Sequence, residues 1–313
     1  MPFKRGQLRA FVTVAEEGQM TRAARKLYLA QPALSQAITQ LERELGVALL
    51  ERHARGVTLT PAGEVFLAKA RVALAATVDA AATARSLARV ARGAIEVGFI
   101  GPPPELQAPQ LFDGFADAHP AAELSFRELP FPRGSTASWL EDVDVALCHP
   151  PTAGPGVRLQ ALWTEPRAVV MPEGHPLAQR SELTVAEVLD ETFLGYHPAV
   201  QPMWAGFHSL DDHRGKRPAG LTADRALTPP EMLAMIASRR AITTLPGSDA
   251  AFILTVLRGV VAIPLRDAHP AVLSLVWRRD NHNPLVDVLA AIAKNLASGA
   301  DARLPRGAGA APG

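Results

Sequence analysis

The residues with the clearest chemical use lie between Gln31 and Arg43. Wound as a helix, this segment gathers Gln31, Pro32, Ser35, Gln36, Thr39, Gln40 and Arg43 on the side opposite its leucines. Such a face can read base edges. A Gln amide pairs bidentately with adenine N6 and N7, Ser donates or accepts, and a proline ring can touch a thymine methyl. Arg22, Arg25 and Lys26 just upstream would lie beside phosphates. Arg52, His53 and Arg55 downstream sit where arginine could enter a narrow minor groove. No comparable set exists for catalysis. Cys148 and His149 are adjacent, and neighbours on a strand point to opposite faces, so a buried cysteine acting as a small hydrophobe is the expectation. There is no G-x-S-x-G, no Gly-Lys phosphate loop and no H-E-x-x-H, and the nine histidines show no metal-ligand spacing. No catalytic residue, cofactor or metal is expected.

The elements that must position this face can be read in order. Leu8, Phe11, Val12 and Ala15 recur at helical spacing, predicting a helix over 4–17 closed by Gly18. A short helix over 21–27 turns Ala23, Ala24 and Leu27 inward, and Tyr28-Leu29-Ala30 leads to a third over 31–45. Pro32 falls in its first turn, Leu34, Ile38, Leu41 and Leu45 form its buried stripe, and Gly46 ends it. Residues 48–60 read as a small hairpin. Thr60-Pro61 opens a long helix to about residue 92, with a seam through Phe66, Ala70, Ala73, Thr77, Ala80, Ala84, Leu87 and Ala91. Small residues at three-or-four spacing suit a two-helix dimer seam; packing on its own domain is the alternative.

Charge divides the chain in the same place. Residues 1–92 carry 14 Lys/Arg against 7 Asp/Glu, a net of +7, and residues 93–313 carry 18 against 24, a net of −6. A basic first third on an acidic remainder points to a polyanion partner for that part alone. No run of about 18 apolar residues predicts a membrane span, no secretory leader is evident, and the single cysteine allows no intrachain disulfide. A cytoplasmic location is the expectation.

Past Ala94, strands and helices alternate. Strands are predicted near 95–100, 122–129, 143–148, 166–171, 192–196, 220–226, 241–245, 260–264 and 271–278. Helices are predicted near 108–118, 135–141, 184–189, 200–209, 229–238, 248–257 and 284–298. Alternation of this kind predicts parallel sheets covered by helices, and its length favours two such subdomains. Thr228-Pro-Pro-Glu231 is a capping box. The tail from 299 to 313 lacks apolar periodicity and is expected to be disordered.

The run from QLRAFVTVAEEG through TRAARKL, AQPALSQAI and LERELG to LTPAG strongly resembles the DNA-binding domain of LysR-type transcriptional regulators. Weaker matches follow in order: VGFI, F-x-x-x-HP, DVAL and MPEGHPLA. The resemblance implies an α/β protein with an N-terminal winged helix-turn-helix (1–60), a linker and dimerisation helix (61–92) and a periplasmic-binding-protein-like effector domain (93–298). Its lobes would span about 93–163 with 266–298, and about 164–265. It maps base contacts to Gln31, Pro32, Ser35 and Gln36, phosphate contacts to Thr21, Arg22 and Thr39, and a minor-groove contact to Arg55, with Arg52 beside it. Double-stranded DNA, a small-molecule effector and a homodimer or homotetramer are the implied partners. The chain departs from the family at Gln19-Met20, where Ser-Phe is usual, at Gln36, often Arg, and at LLER over 49–52, commonly LFER. Gln36 implies a shifted site preference.

An effector is expected at the C-terminal ends of strands, giving Gly101, Pro102, Pro130, Phe131, Tyr196, His197 and Thr228 as candidates. Gly101-Pro-Pro-Pro-Glu105 offers few backbone donors and adds a negative charge, which favours an apolar, aromatic or cationic compound. Arg239 and Arg240 could instead supply an anion site. A solute-binding protein of similar form and a DNA-compacting protein without effector remain the alternative readings.

Overall fold

The structure, a computed structural model, describes residues 3–53, 56–149, 154–215, 218, 220–238 and 240–300. The chain divides into two compact units, Met1–Ala81 and Ala82–Gly313. In the first, α1 (Arg5–Glu17), α2 (Met20–Lys26) and α3 (Gln31–Leu45) are followed by an antiparallel hairpin, β1 (Leu50–His53) and β2 (Gly56–Leu59), and by the start of α4 (Pro61–Val90). Leu34, Ile38 and Leu41 are fully buried against Phe11, Val14 and Ala23. Each such side chain contributes about 1.5–3 kcal/mol by leaving water. The buried side of α1 is Gln7, Leu8, Ala10, Phe11, Thr13 and Val14. Val12 and Ala15 are only half-buried, because Phe66 of α4 meets Phe11 edge-on at 5.3 Å and turns that face of the helix inward.

Two devices hold the hairpin on α3. The Glu42 carboxylate accepts from the backbone N–H groups of Leu49 (2.8 Å) and Leu50 (3.1 Å). The Thr60 hydroxyl donates to the Ala48 carbonyl (2.8 Å) and accepts from Gly63 N (3.0 Å), capping α4. Gly63 is required here: a Cβ would lie 2.0 Å from the Leu49 carbonyl oxygen.

The second unit holds two sheets. β3 (Ala94–Phe99) leads through α5 (Pro104–Gln107) and α6 (Pro109–Ala118) to β4 (Glu123–Glu128), and α7 (Thr136–Trp139) to β5 (Val145–Cys148) and β6 (Val157–Glu165). β7 (Arg167–Pro172) begins the second sheet. α8 (Val185–Val188), α9 (Pro202–His208), α10 (Asp211–Arg214) and α11 (Pro229–Ala237) precede β8 (Thr243–Pro246), and α12 (Gly247–Val256) precedes β9 (Val260–Pro264). β10 (Ala271–Arg278) and α13 (Pro284–Ala300) return to the first sheet. The strand orders are β4-β3-β5-β10-β6 and β8-β7-β9.

The expectation of parallel sheets is corrected. β3 pairs parallel with β4 and β5, but β10 is antiparallel to β5 and β6, and the smaller sheet is antiparallel throughout. The reason is topological: β6 leaves the first sheet for the second, and β10 comes back, so it must run opposite to β6. Segments 192–196 and 220–226 are not ladder strands; they make single parallel bridges, Phe193 to Leu221 and to Ile242 and Tyr196 to Ala226. β6, α5 and α10 were not anticipated. The last turn of α4 is tied to the larger sheet by Asp144, 1% exposed, which accepts from Arg89 Nε (2.6 Å) and Nη2 (3.0 Å), Ser86 Oγ (2.9 Å) and Glu96 N (3.0 Å). The tail expected to be disordered from 299 overlaps the end of α13, which runs to Ala300, and residues 301–313 lie outside the described residues.

Candidate functional site

In the first unit, Gln31, Pro32, Gln36 and Thr39 are exposed along α3, Ser35 is half-buried, and Thr21 and Arg22 are exposed on α2. Arg52 of β1 is exposed and donates to Ser35 Oγ at 3.1 Å, so the hairpin and the third helix meet at the middle of the polar face. Arg55 lies outside the described residues. Arg22 Nη2 donates to the Glu17 carbonyl, and Lys26 Nζ bonds the Glu17 carboxylate at 2.7 Å. Exposed pairs of this kind are worth less than about 1 kcal/mol, so a phosphate can displace them. Tyr28, 95% exposed, takes a positive φ of 56° in the turn between α2 and α3. That left-handed residue turns α3 across α2.

The second unit contains a cavity of about 310 Å³ at the C-terminal end of β3. Its lining joins the turn after β3 (Ile100 to Pro103) to Phe131, to Trp204 and His208 on α9, to Pro229, Pro230, Met232 and Leu233 on α11, and to Asp249, Phe252 and Ile253 on α12. Of the sequence candidates, Gly101, Pro102 and Phe131 line it. Tyr196 stands behind the wall, its ring 5.6 Å from Phe131 and 5.4 Å from Trp204 and its hydroxyl 3.5 Å from Met232 Sδ. Burial pushes its phenol well above the ordinary range. His197 is exposed and accepts from Ala199 N, Pro130 accepts from Trp139 Nε1 (2.7 Å), and Thr228 caps α11. None of these three lines the cavity. Glu105, expected to set the charge of this wall, is exposed and is not among the lining residues; neither is Arg240, and Arg239 lies outside the described residues.

The charge comes from elsewhere. Asp249 sits in the first turn of α12, against Gly101, whose added Cβ would lie 3.3 Å from Asp249 Oδ1. That oxygen is buried and has no hydrogen-bond partner. Burial, reinforced by Glu165, lifts the carboxyl from 3.8 to about 6, although His149 Nδ1 lies 3.8 Å away. His149 bonds Glu165 through Nε2, and Glu165 also accepts from Ser248 N (2.6 Å) and Oγ (2.8 Å). Burial works to lower the His149 pKa, but Asp249 and Glu165 outweigh it and hold the imidazole above its ordinary value. Glu165 is held below its own by His149 and Ser248 against its burial. His208 is driven by burial down to about 3, and its Nδ1 faces the Thr244 carbonyl at 2.8 Å. As a neutral ring donating there, it keeps Nε2 as an acceptor. Among the described residues, the lining carries acceptors (Asp249, Glu128, His208) and no Lys or Arg. The available sequence signals were the i, i+4 pair Trp204 and His208, and an Asp that is the sole charge of an otherwise apolar helix segment.

Two family descriptions match this chain: the bacterial regulatory helix-turn-helix of the LysR family over residues 6–64, and the LysR substrate binding domain over 88–298. The chain belongs to the LysR family. It is accordingly a DNA-binding transcriptional regulator with an effector-binding domain. The regulator AlsR of Bacillus subtilis is 30% identical over 282 residues, covering 89% of this chain and 91% of AlsR. BudR of Raoultella terrigena is 31% identical, covering 87% and 93%. Among solved structures, a cysteine mutant of OxyR from Corynebacterium glutamicum is 27% identical with a TM-score of 0.51, covering 96% of this chain and 93% of that one.

The buried Asp249 charge opposes folding. Its folded pKa lies above its unfolded one, so the native state binds the proton more tightly, and its ionisation subtracts stability as pH rises from about 4 through about 6. Asp249→Asn should therefore raise urea-unfolding stability at pH 7.5 by on the order of 1–3 kcal/mol. The gain over the parent should shrink as the pH is lowered towards 4. A gain independent of pH, or a loss at pH 7.5, would contradict this assignment.

Proposed function

We propose that this regulator reads operator DNA through Gln31, Pro32, Ser35 and Gln36. In this reading Thr21, Arg22 and Thr39 hold phosphates, and Arg52 and Arg55 act from the hairpin. What supports it is the continuous exposed polar face of α3 with Arg52 bonded to Ser35 at its centre. The DNA-binding domain is taken as residues 1–60, the linker helix as 61–92 and the effector domain as 93–298. The chain acts without catalysis of its own, in the compartment that holds the DNA. The apolar cavity beside Asp249 is the effector site. An orphaned carboxylate oxygen on an apolar wall that shows no Lys or Arg among the described residues favours an effector with an apolar or aromatic body and a donating or cationic head. The protein works as a homodimer or homotetramer through α4, whose Ala73, Thr77, Ala80, Ala84 and Leu87 are all exposed within the single chain.

Replacing Ser35 and Gln36 together by Ala should cut discrimination between operator and random DNA by about 1–3 kcal/mol per base pair read, with a smaller effect on nonspecific affinity. Gel-shift titrations at fixed salt measure both; equal losses on the two DNAs would remove these residues from base reading.

Small aromatic amines should raise the melting temperature of the parent and not of Asp249→Asn. A ligand at 100 times its Kd stabilises by about 2.7 kcal/mol. Matched aromatic carboxylates stabilising the parent in their place would refute the cationic assignment.

Asp introduced at both Ala73 and Ala80 should reduce the sedimenting mass, since charges would face each other across the seam. An unchanged oligomer places the seam elsewhere.

A further inference from the structure

The chain passes between the two sheets of its second unit twice: from β6 to β7 through Pro166, and from β9 to β10 through residues 265–270. A group of side chains outside the cavity stands at both passages. Leu210, fully buried with a positive φ of 62°, turns the chain from α9 into α10 and sets Asp212 and His213 side by side. Asp212 Oδ2 lies 3.8 Å from His213 Nε2 and 3.5 Å from His269 Nδ1. One ligand atom from each of the three residues lies within 4.8 Å of those of the other two. The two imidazoles face each other with centroids 4.3 Å apart.

We propose that Asp212, His213 and His269 form a site for a zinc-type divalent cation, which clips α10 to the passage from β9 to β10. The donor set decides the class of ion. Two neutral imidazoles and one carboxylate suit a borderline transition ion, whereas magnesium and calcium require an oxygen cage. The spacing agrees. Zn–N and Zn–O bonds of about 2.0–2.2 Å at tetrahedral angles separate neighbouring donor atoms by about 3.4 Å. The two separations at Asp212 Oδ2 need to contract by a few tenths of an ångström, and the two rings, stacked with their planes 24° apart, must turn so that both nitrogen lone pairs point at one ion. His213 Nε2 already presents a lone pair: it accepts the backbone N–H of His269 at 3.0 Å, a bond that the ion would replace. Water would fill the fourth position. The carboxylate is aimed from behind by Arg167, whose Nη1 donates to the same Oδ2 at 2.9 Å. Orienting a ligand through such a partner is a common feature of metal sites.

The consequence concerns the effector domain as a whole. Arg167 is the first residue after Pro166, and His269 lies in the second passage. Asp212 thus already holds one passage through Arg167, and the ion would tie the other to the same short helix. Occupancy would then restrain both passages at once.

The test uses the untagged full-length chain in a non-chelating buffer. Titration with Zn2+ by calorimetry should show one ion per chain tied to this site. Co2+ should give the visible absorption of a tetrahedral nitrogen and oxygen complex. His269→Ala removes a side chain that is 70% exposed and should leave the fold intact while weakening Zn2+ at least about tenfold. His213→Ala should do the same, and Zn2+ should raise the melting temperature of the parent and leave that of the double variant unmoved. His282→Ala, away from the cluster, should bind as the parent does. A parent that fails to take up Zn2+, or a double variant that retains the parent's affinity, overturns the proposal.

Discussion

Two charges of opposite sign flank Pro166, Arg167 fully buried and Glu165 largely so, where the chain first leaves one sheet for the other, and most of the second unit is arranged around keeping both satisfied. Arg167 is fully buried. Its guanidinium bonds Asp212 (2.9 Å), Thr244 Oγ1 (2.7 Å) and the Phe207 carbonyl, and its Cζ lies 4.0 Å from the centre of the Phe207 ring. Glu165, two residues earlier, is held by His149 and by the first turn of α12. Removing the partners of the fully buried Arg167 would leave its charge without compensation, which is destabilising even though Asp212 itself stays partly in water. That cost fixes α9, α10 and α12 to the point where the chain crosses, and α9 and α12 supply far walls of the cavity.

The cavity inherits its chemistry from this arrangement. The Glu165 carboxylate takes the Ser248 N–H at the start of α12, so Asp249 is left to face Gly101 and the apolar wall. Burial raises its pKa, with the Glu165 carboxylate adding to the effect against the pull of His149. On the proposed reading of this cavity as the effector site, a compound that donates to Asp249 would relieve a cost that an apolar or anionic one could not. His208, neutral and buried beside it, adds a second acceptor.

The first unit solves a different problem, which is to hold a short two-stranded hairpin that could not be stable alone. Glu42 bonds the two backbone N–H groups that lead into β1, Thr60 ties its exit to Ala48, and the missing side chain at Gly63 allows α4 to start against Leu49. The hairpin is therefore an extension of α3, and Arg52 reaches Ser35 without any further element to guide it.

How much of this was legible depended on distance along the chain. The helices of the first unit, their boundaries and the polar face of α3 follow from periodicity and caps within a few residues, so local sequence was sufficient: Leu34, Ile38 and Leu41 are buried as their spacing requires. Segment 157–165 alternates over Val157, Leu159 and Ala161, yet only the strand after it, near 166–171, is predicted; Pro166 separates the two in the structure. The antiparallel return of β10 was hidden for the same reason, since strand direction is set by a crossing more than a hundred residues long. The cavity charge was misplaced to Glu105, adjacent in sequence to the turn after β3, whereas Asp249 reaches that turn only through folding. Asp212 and His213 meet His269 across 56 residues, a separation at which spacing carries no signal. The sequence by itself determined the local elements and the kind of surface that α3 presents. The tertiary structure decided which buried charges share a site, because electrostatic partnership in a low-dielectric interior depends on distance in space and on burial, and neither is encoded in nearest neighbours.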